Sequence, residues 1–199
     1  MTGSFVPSAL LDLAAVRIGT PRLRLRPPVA TDHAALALAL GHWRVVRWLA
    51  RVPFPYRTAD AERFVAATAG DLAARRALPL LIFDRDGLAG CVGLDGLGAA
   101  PEFGYWLAPS RWGRGYATEA GRAALAFAFA SLDAAAIRSG VFEGNDASMA
   151  VQRRLGFEIS GTRSVFCLAR GADLPHIDTV LTRERFSALD TAQRETFGP

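Results

Sequence analysis

The sequence predicts a mixed α/β fold (α+β mixed), in which a mostly antiparallel sheet of about seven strands is flanked by helices on both faces. Three observations carry this. The run Arg22-Leu23-Arg24-Leu25-Arg26 alternates strictly and stops at Pro27-Pro28, the period of a half-buried strand. Two apolar runs flank Arg85-Asp86-Gly87, and an Asp-Gly suited to positive φ makes them a hairpin. Finally, a strand, a glycine turn, a long helix and another strand follow one another from Glu102 to Phe142, which is a crossover unit. Hairpins followed by a crossover require both antiparallel and parallel neighbours.

The remaining elements follow in order. An alanine-rich helix runs from Thr31 to about Leu40, with Thr31 or Asp32 available to cap its free N–H groups. The linker after it holds Trp43, Trp48, Pro53, Phe54, Pro55 and Tyr56 and is too proline-broken for a long helix. Thr58 opens a second helix to about Ala77, with Asp60 and Glu62 where the helix dipole favours acids. The hairpin strands are Leu78 to Asp84 and Leu88 to Leu94, and Glu102 to Leu107 completes a meander after a glycine-alanine turn. Thr118 to Leu132 is a helix, Ala136 to Phe142 a strand, Ala147 to Leu155 a short helix, and Phe157 to Leu168 and His176 to Leu181 are strands.

A chain of 199 residues, 51% hydrophobic and 21% charged, suits one folded domain and excludes disordered, collagen-like and disulfide-scaffold classes. All 23 basic residues are arginine, and the net charge is +4. A basic face for nucleic acid or phosphate and a compositional bias toward arginine both account for this; the charge lacks the clustering of a dedicated nucleic-acid binder. Cys91 and Cys167 stand apart in apolar surroundings, without the spacing of a zinc site, and suit a reducing cytoplasm. Met1 to Leu13 lacks the pattern of a secretory signal. The most apolar run, Ala123 to Ala130, is far shorter than the roughly 20 residues of a membrane span.

The most informative stretch runs from Glu102 through Ala108-Pro109-Ser110-Arg111-Trp112-Gly113-Arg114-Gly115-Tyr116-Ala117-Thr118-Glu119-Ala120. Gly113 and Gly115 remove side chains where backbone N–H groups converge at a helix N-terminus, which makes an anion site suited to a pyrophosphate. Arg111 and Arg114 would add charge there, or stand as solvated cations. The loop is neither a dinucleotide fingerprint nor a P-loop, which disfavours NAD chemistry and nucleotide hydrolysis.

This stretch resembles motif A of the GNAT N-acetyltransferases, in which Gln or Arg, two residues, Gly, one residue, and Gly or Ala form a loop that grips the pyrophosphate of acetyl-CoA. Gly115 and Ala117 match the last two anchors, and Trp112 departs from the first. That departure is similar to the Rim-type branch of ribosomal-protein N-terminal acetyltransferases, as are the strand Thr20 to Arg26, the Pro53-Phe54-Pro55-Tyr56 loop and Asp178. Asn145-Asp146-Ala147-Ser148 and Leu155-Gly156-Phe157 resemble motif B, with Arg154 where lysine is common. The resemblance covers about Thr20 to Thr182, so residues 1–199 are expected to form a single acetyltransferase domain.

The resemblance implies a cytoplasmic enzyme with acetyl-CoA as co-substrate and no metal, acting by direct attack of an amine in a ternary complex. The backbone of Trp106 and Leu107 would hold pantetheine as an added strand, and the loop from Arg111 through Thr118 the pyrophosphate, with Trp112, Gly113, Arg114, Gly115, Tyr116 and Ala117. Asn145 would hold the pantetheine arm, cap the short helix, or both. An α-amine, with an ordinary pKa of about 7.7–8.0, needs less help from a base than a lysine amine near 10.4, so a protein N-terminus is the foremost acceptor.

Glu102, Glu143 and His176 are the candidate bases. Family resemblance favours Glu102, which also reads as a solvated strand-end carboxylate. The tyrosine acid of many relatives is replaced by Gln152, leaving Ser148 to hydrogen-bond the departing thiolate, or to serve in a helix cap. The resemblance places Trp43, Trp48, Phe54 and Tyr56 in a loop covering the acceptor, although such aromatics also build cores. The expected partner is an amine acceptor, with neither nucleic acid nor membrane, and a homodimer is compatible with the pattern. The rival readings are a small-amine acetyltransferase, for an antibiotic, polyamine or amino acid, and an idle acyl-CoA-binding module.

Overall fold

The computed structural model describes residues 11–97 and 101–197; most of the stretch read for a secretory signal, residues 1–10, and the glycine-alanine turn at 98–100 lie outside them. The strands are β1 (Ile18–Gly19), β2 (Arg24–Arg26), β3 (Ala77–Asp84), β4 (Gly87–Asp95), β5 (Glu102–Leu107), β6 (Ala136–Phe142), β7 (Glu158–Cys167) and β8 (Ala172–Thr182). They form one sheet in the order β1-β2-β3-β4-β5-β6-β8-β7. Every neighbouring pair is antiparallel except β5 and β6. Among the described residues the sheet thus has eight strands rather than about seven, because the two-residue β1 is too short to show a period in sequence.

The helices are α1 (His33–Leu40), α2 (Trp43–Val46), α3 (Thr58–Ala73), α4 (Tyr116–Ser131), α5 (Asp146–Leu155) and α6 (Arg183–Phe197). Helix α3 ends four residues before the expected Ala77, since Arg75 takes a positive φ of 53° and β3 begins at Ala77. The proline-broken linker still holds one helical turn, α2, whose Val45 and Val46 are buried. Helix α6 follows β8 directly and has no counterpart in the sequence reading; polar residues dilute its apolar period.

Two layers of core straddle the sheet. Phe103, Leu94, Ile137 and Leu181 meet Ala120, Ala124, Leu125 and Ala128 of α4 on one face, and small α4 side chains let the helix lie close to the strands. The opposite face carries Leu81 and Cys91 against Leu36 of α1 and Ala61 of α3. A smaller cluster, Leu40, Val45 and Val46, reaches from Trp106 on β5 to Ala169 beyond β7. The α2 segment therefore bridges the two halves of the sheet. The Leu168 amide donating to the Ala50 carbonyl at 2.9 Å ties the same bridge.

Candidate active site

The site begins where the sheet splits. β5 and β6 share a single pair, Glu102 with Arg138, and the Arg138 amide donates to the Pro101 carbonyl at 2.8 Å. In a continuing parallel ladder the next acceptors would be the carbonyls of Phe103 and Gly140. Side chains take both instead. The Ser139 hydroxyl donates to Phe103 O at 2.7 Å, and the Gln152 amide donates to Gly140 O at 3.1 Å and to Ser139 Oγ at 2.8 Å. Thr179 Oγ1 closes the chain by donating to Gln152 Oε1 at 2.5 Å. Ser139, Gln152 and Thr179 are all buried, yet each polar atom in this chain has a partner. Gln152 is thus a wedge within the sheet, which is where the position expected to carry a tyrosine acid has gone.

Beyond the wedge, one edge of β5 lies open. The Ala108 amide donates to Ala89 O on β4, and ladder alternation then turns the backbone groups of Trp106 toward β4 and those of Tyr105 and Leu107 toward the gap. Of the two residues expected to hold pantetheine by their backbone, Leu107 thus faces the gap and Trp106 faces β4. The Leu107 carbonyl is already held by the Trp112 indole N–H at 2.8 Å. Trp112, half-exposed beneath the Arg44 guanidinium at 4.9 Å, fastens the loop to the end of β5.

Gly113 and Gly115 both lie at positive φ, 74° and 78°, and Gly115 is the N-cap of α4. Glu119 is the first residue of α4 to bond back, to Gly115 O, so the amides of Tyr116, Ala117 and Thr118 lack acceptors within the helix. This is an anion-binding geometry, with the positive end of a 16-residue helix behind it. Arg111 does not aim into it. Its guanidinium meets the buried Asp84 carboxylate at 2.9 Å, a charge contact off the hydrogen-bond axis, and braces the loop against the β3–β4 hairpin. Arg114 is exposed and unpaired among the described residues.

The residue missed by sequence reasoning is Arg22. Its Nη1 donates to the Arg114 carbonyl at 2.9 Å and its Nε to Glu119 at 2.6 Å, while Thr20 Oγ1 donates to the same carboxylate at 2.5 Å. Burial alone would raise the Glu119 pKa, but these hydrogen bonds and the Arg22 charge hold it below the usual carboxylate value. Thr20 and Arg22 thereby set the loop's far wall. The sequence reading places both at the start of the strand Thr20 to Arg26, which in the structure begins only at Arg24, and offers no cue to a partner some 97 residues away.

On the α4–α5 side of the split stand Ser148 and Asn145. Asn145 caps α5 by accepting from the Ser148 amide at 3.3 Å, so the capping role is the one realised within the protein. Ser148 Oγ lies 2.6 Å from the Tyr105 hydroxyl, which also donates to the Ser148 carbonyl at 3.0 Å.

On the other side, strand register puts Glu102, Gly104 and Trp106 on one face with Arg138, Gly140 and Phe142 of β6 and His176 and Asp178 of β8. Glycines occupy the floor beside the split. Nothing approaches within 4 Å of a Cβ on Gly104, whereas one on Gly140 would strike the His176 ring. His176 Nδ1 lies 2.9 Å from Asp178 Oδ1, and Arg163 Nε donates to that oxygen at 2.9 Å. Burial works to raise the Asp178 pKa, and the Arg163 and His176 contacts outweigh it and lower it.

Glu102 is exposed, and its carboxylate makes no hydrogen bond or ion pair among the described residues. Arg51 is paired with Asp95 across this face. Burial lowers the Arg51 pKa, but the Asp95 hydrogen bond and the charges of Asp95 and Glu102 carry it above its ordinary value. Arg163 is raised chiefly by Asp178, against burial and with a further contribution from Glu102. Glu102 thus stands between two cations that are already committed to other acids. Glu143 is exposed in the β6–α5 loop. Of the aromatic residues, Trp43 and Phe54 make an exposed edge contact at 5.1 Å, Trp48 stacks with Arg47 at 4.5 Å, and Tyr56 joins the core.

Comparisons with known proteins agree with this architecture. RimJ of Mycobacterium smegmatis, solved with CoA-disulfide, superposes with a TM-score of 0.78 at 24% identity, over 90% of this chain and 95% of that one. A ribosomal-protein-serine acetyltransferase structure from Vibrio cholerae gives 0.70 at 24% identity, over 85% and 98%. The microcin self-immunity acetyltransferase MccE, solved with acetyl-CoA and AMP, gives 0.75 at 20% identity, over 86% and 99%. No described helix is long and apolar enough to cross a membrane, and no described cluster of His, Cys, Asp and Glu suits a metal. Residues 22–158, from the arginine that braces the loop to the strand after α5, match the model of the acetyltransferase (GNAT) domain, so the split sheet and its glycine loop belong to a GNAT acetyltransferase.

Proposed function

We propose that the protein is an acetyl-CoA-dependent N-acetyltransferase whose acceptor is a protein N-terminal α-amine. The observation that carries the acceptor class is the open floor at Gly104 beside the split, where nothing lies within 4 Å of a Cβ, with exposed Glu102 next to it. An extended backbone can lie on such a floor, whereas a small amine calls for an enclosed pocket. The RimJ and ribosomal-protein-serine acetyltransferase likenesses support the same class.

The residues present fit acetyl-CoA. The α4 N-terminus offers amides and positive potential to a pyrophosphate, and the free edge at Tyr105 offers a strand-like partner to pantetheine. Glu102 attracts the ammonium form of the acceptor and takes its proton, directly or through water. The neutral nitrogen then attacks the thioester carbonyl carbon, the carbon–sulfur bond breaks, and the leaving thiolate takes a hydrogen bond from Ser148 Oγ. The second proton of the new amide nitrogen passes through water to the sulfur, leaving the amide and the free thiol.

Incubation with acetyl-CoA and a panel of N-terminal peptides, lysine peptides and small amines tests this by thiol release. Product mass should rise by about 42 Da, one acetyl group, on the α-amine peptides. Turnover confined to small amines would transfer the reading to that class, and binding without any turnover would favour an idle module. Glu102→Gln should lower kcat for a peptide acceptor at least about tenfold and raise its KM, at unchanged acetyl-CoA affinity.

A further inference from the structure

Tyr105 and Ser148 share a proton-accounting problem. The Tyr105 hydroxyl has one hydrogen and two neighbours on Ser148, the carbonyl at 3.0 Å and Oγ at 2.6 Å. If that hydrogen goes to the carbonyl, the Ser148 hydrogen must point at the phenol oxygen, and Ser148 offers the split only lone pairs. If it goes to Oγ, the Ser148 hydrogen is released to donate elsewhere. The Ser148 carbonyl sits in the first turn of α5 and faces the Gln152 amide along the helix, so it is not orphaned by the change.

We infer that Tyr105 is a positioning residue whose hydroxyl, by turning from the Ser148 carbonyl to Ser148 Oγ, directs the Ser148 hydrogen at the thiolate as it forms. This rests on the acetyl-transfer reading above. Turning is favoured only when a charge appears in the split, so the interaction acts on the transition state more than on bound substrate. Tyr105 itself stays protonated. Burial, opposed by its hydrogen bond with Ser148, pushes its pKa up to about 12, against about 8.5 for an ordinary thiol, so passing its proton on would be uphill by more than about three powers of ten. A β5 tyrosine therefore reaches the site that Gln152, occupied as a wedge, cannot serve.

The test compares Tyr105→Phe, Ser148→Ala and the double variant by steady-state thiol release, acetyl-CoA calorimetry and thermal melting. The phenylalanine keeps the ring against Phe103, 5.7 Å away centroid to centroid. Tyr105→Phe should lower kcat about tenfold with KM and acetyl-CoA affinity unchanged, Ser148→Ala should lower it further, and the double variant should be no worse than Ser148→Ala. Wild-type kcat in Tyr105→Phe beside an impaired Ser148→Ala overturns the positioning role and leaves acetyl transfer standing. Fully additive losses, or a lowered Tm with kcat held, overturn it as well. Full turnover by Ser148→Ala overturns both this role and that of Ser148, and a wild-type protein inert toward every amine removes the reading beneath them.

Discussion

The two sides of the split are built by different means. The anion loop is a continuous stretch of backbone, in which the glycines at 113 and 115 and the start of α4 supply nearly everything. The opposite face is assembled from side chains on β5, β6, β7, β8 and the segment after α2, where Arg51 is paired with Asp95 and Arg163 with Asp178 while the Glu102 carboxylate stands exposed. A ligand common to a whole family can be held by amides, which any sequence provides once the φ angles are right. An acceptor that differs from one enzyme to another has to be read by side chains.

The comparison breaks most visibly at Gly115. Gly115→Val puts a branched side chain at a φ of 78°, at a cost of about 1–2 kcal/mol or more, with its Cβ near Arg22 Nη2. Acetyl-CoA affinity by calorimetry should fall at least about tenfold. An unchanged affinity would sink the loop assignment. On the other face Gly140→Ala should press on the Ile177 carbonyl of β8 as well as drive the His176 ring off Asp178, and lower turnover of the peptide acceptor at least about tenfold, with acetyl-CoA affinity intact. Equal losses of both substrates would mean that the two sides are not separable.

The smallest effect concerns acid. The Glu119 pKa is lower folded than unfolded, so its contribution to stability is complete above the unfolded carboxylate value, about 4.3, and disappears as pH falls through the folded one. Melting temperatures recorded from pH 5 to pH 3 should fall less steeply in Glu119→Gln than in the wild type. Parallel curves would show that the Arg22–Glu119 brace contributes nothing to the pH dependence.

The same contrast explains what could be read in advance. The strand, turn and helix around Gly113 and Gly115 were legible because backbone conformation leaves a residue-type signature. Trp112 was legible as a departure from its family but not as the side chain that holds Leu107 O. Tyr105 passed as a strand residue, since its partner is 43 positions away and only the folded placement of α5 brings them together. Gln152 could be read as a missing tyrosine; that it fills a broken ladder required the positions of β5, β6 and β8. Arg111 looked like a phosphate ligand because sequence places it beside the loop without showing Asp84 behind it.

The single pair between β5 and β6 also has a consequence for solvent. Tyr105 and Leu107 lie in the middle of an eight-stranded sheet, where amides ordinarily exchange their hydrogens only on deep unfolding. Their N–H groups face the split rather than another strand, so deuterium should enter there while β3 and β4 remain protected. Centrality in the sheet and protection from solvent are thus separated in this fold, and an extended ligand laid against β5 would join them again, completing the sheet with atoms that are not protein.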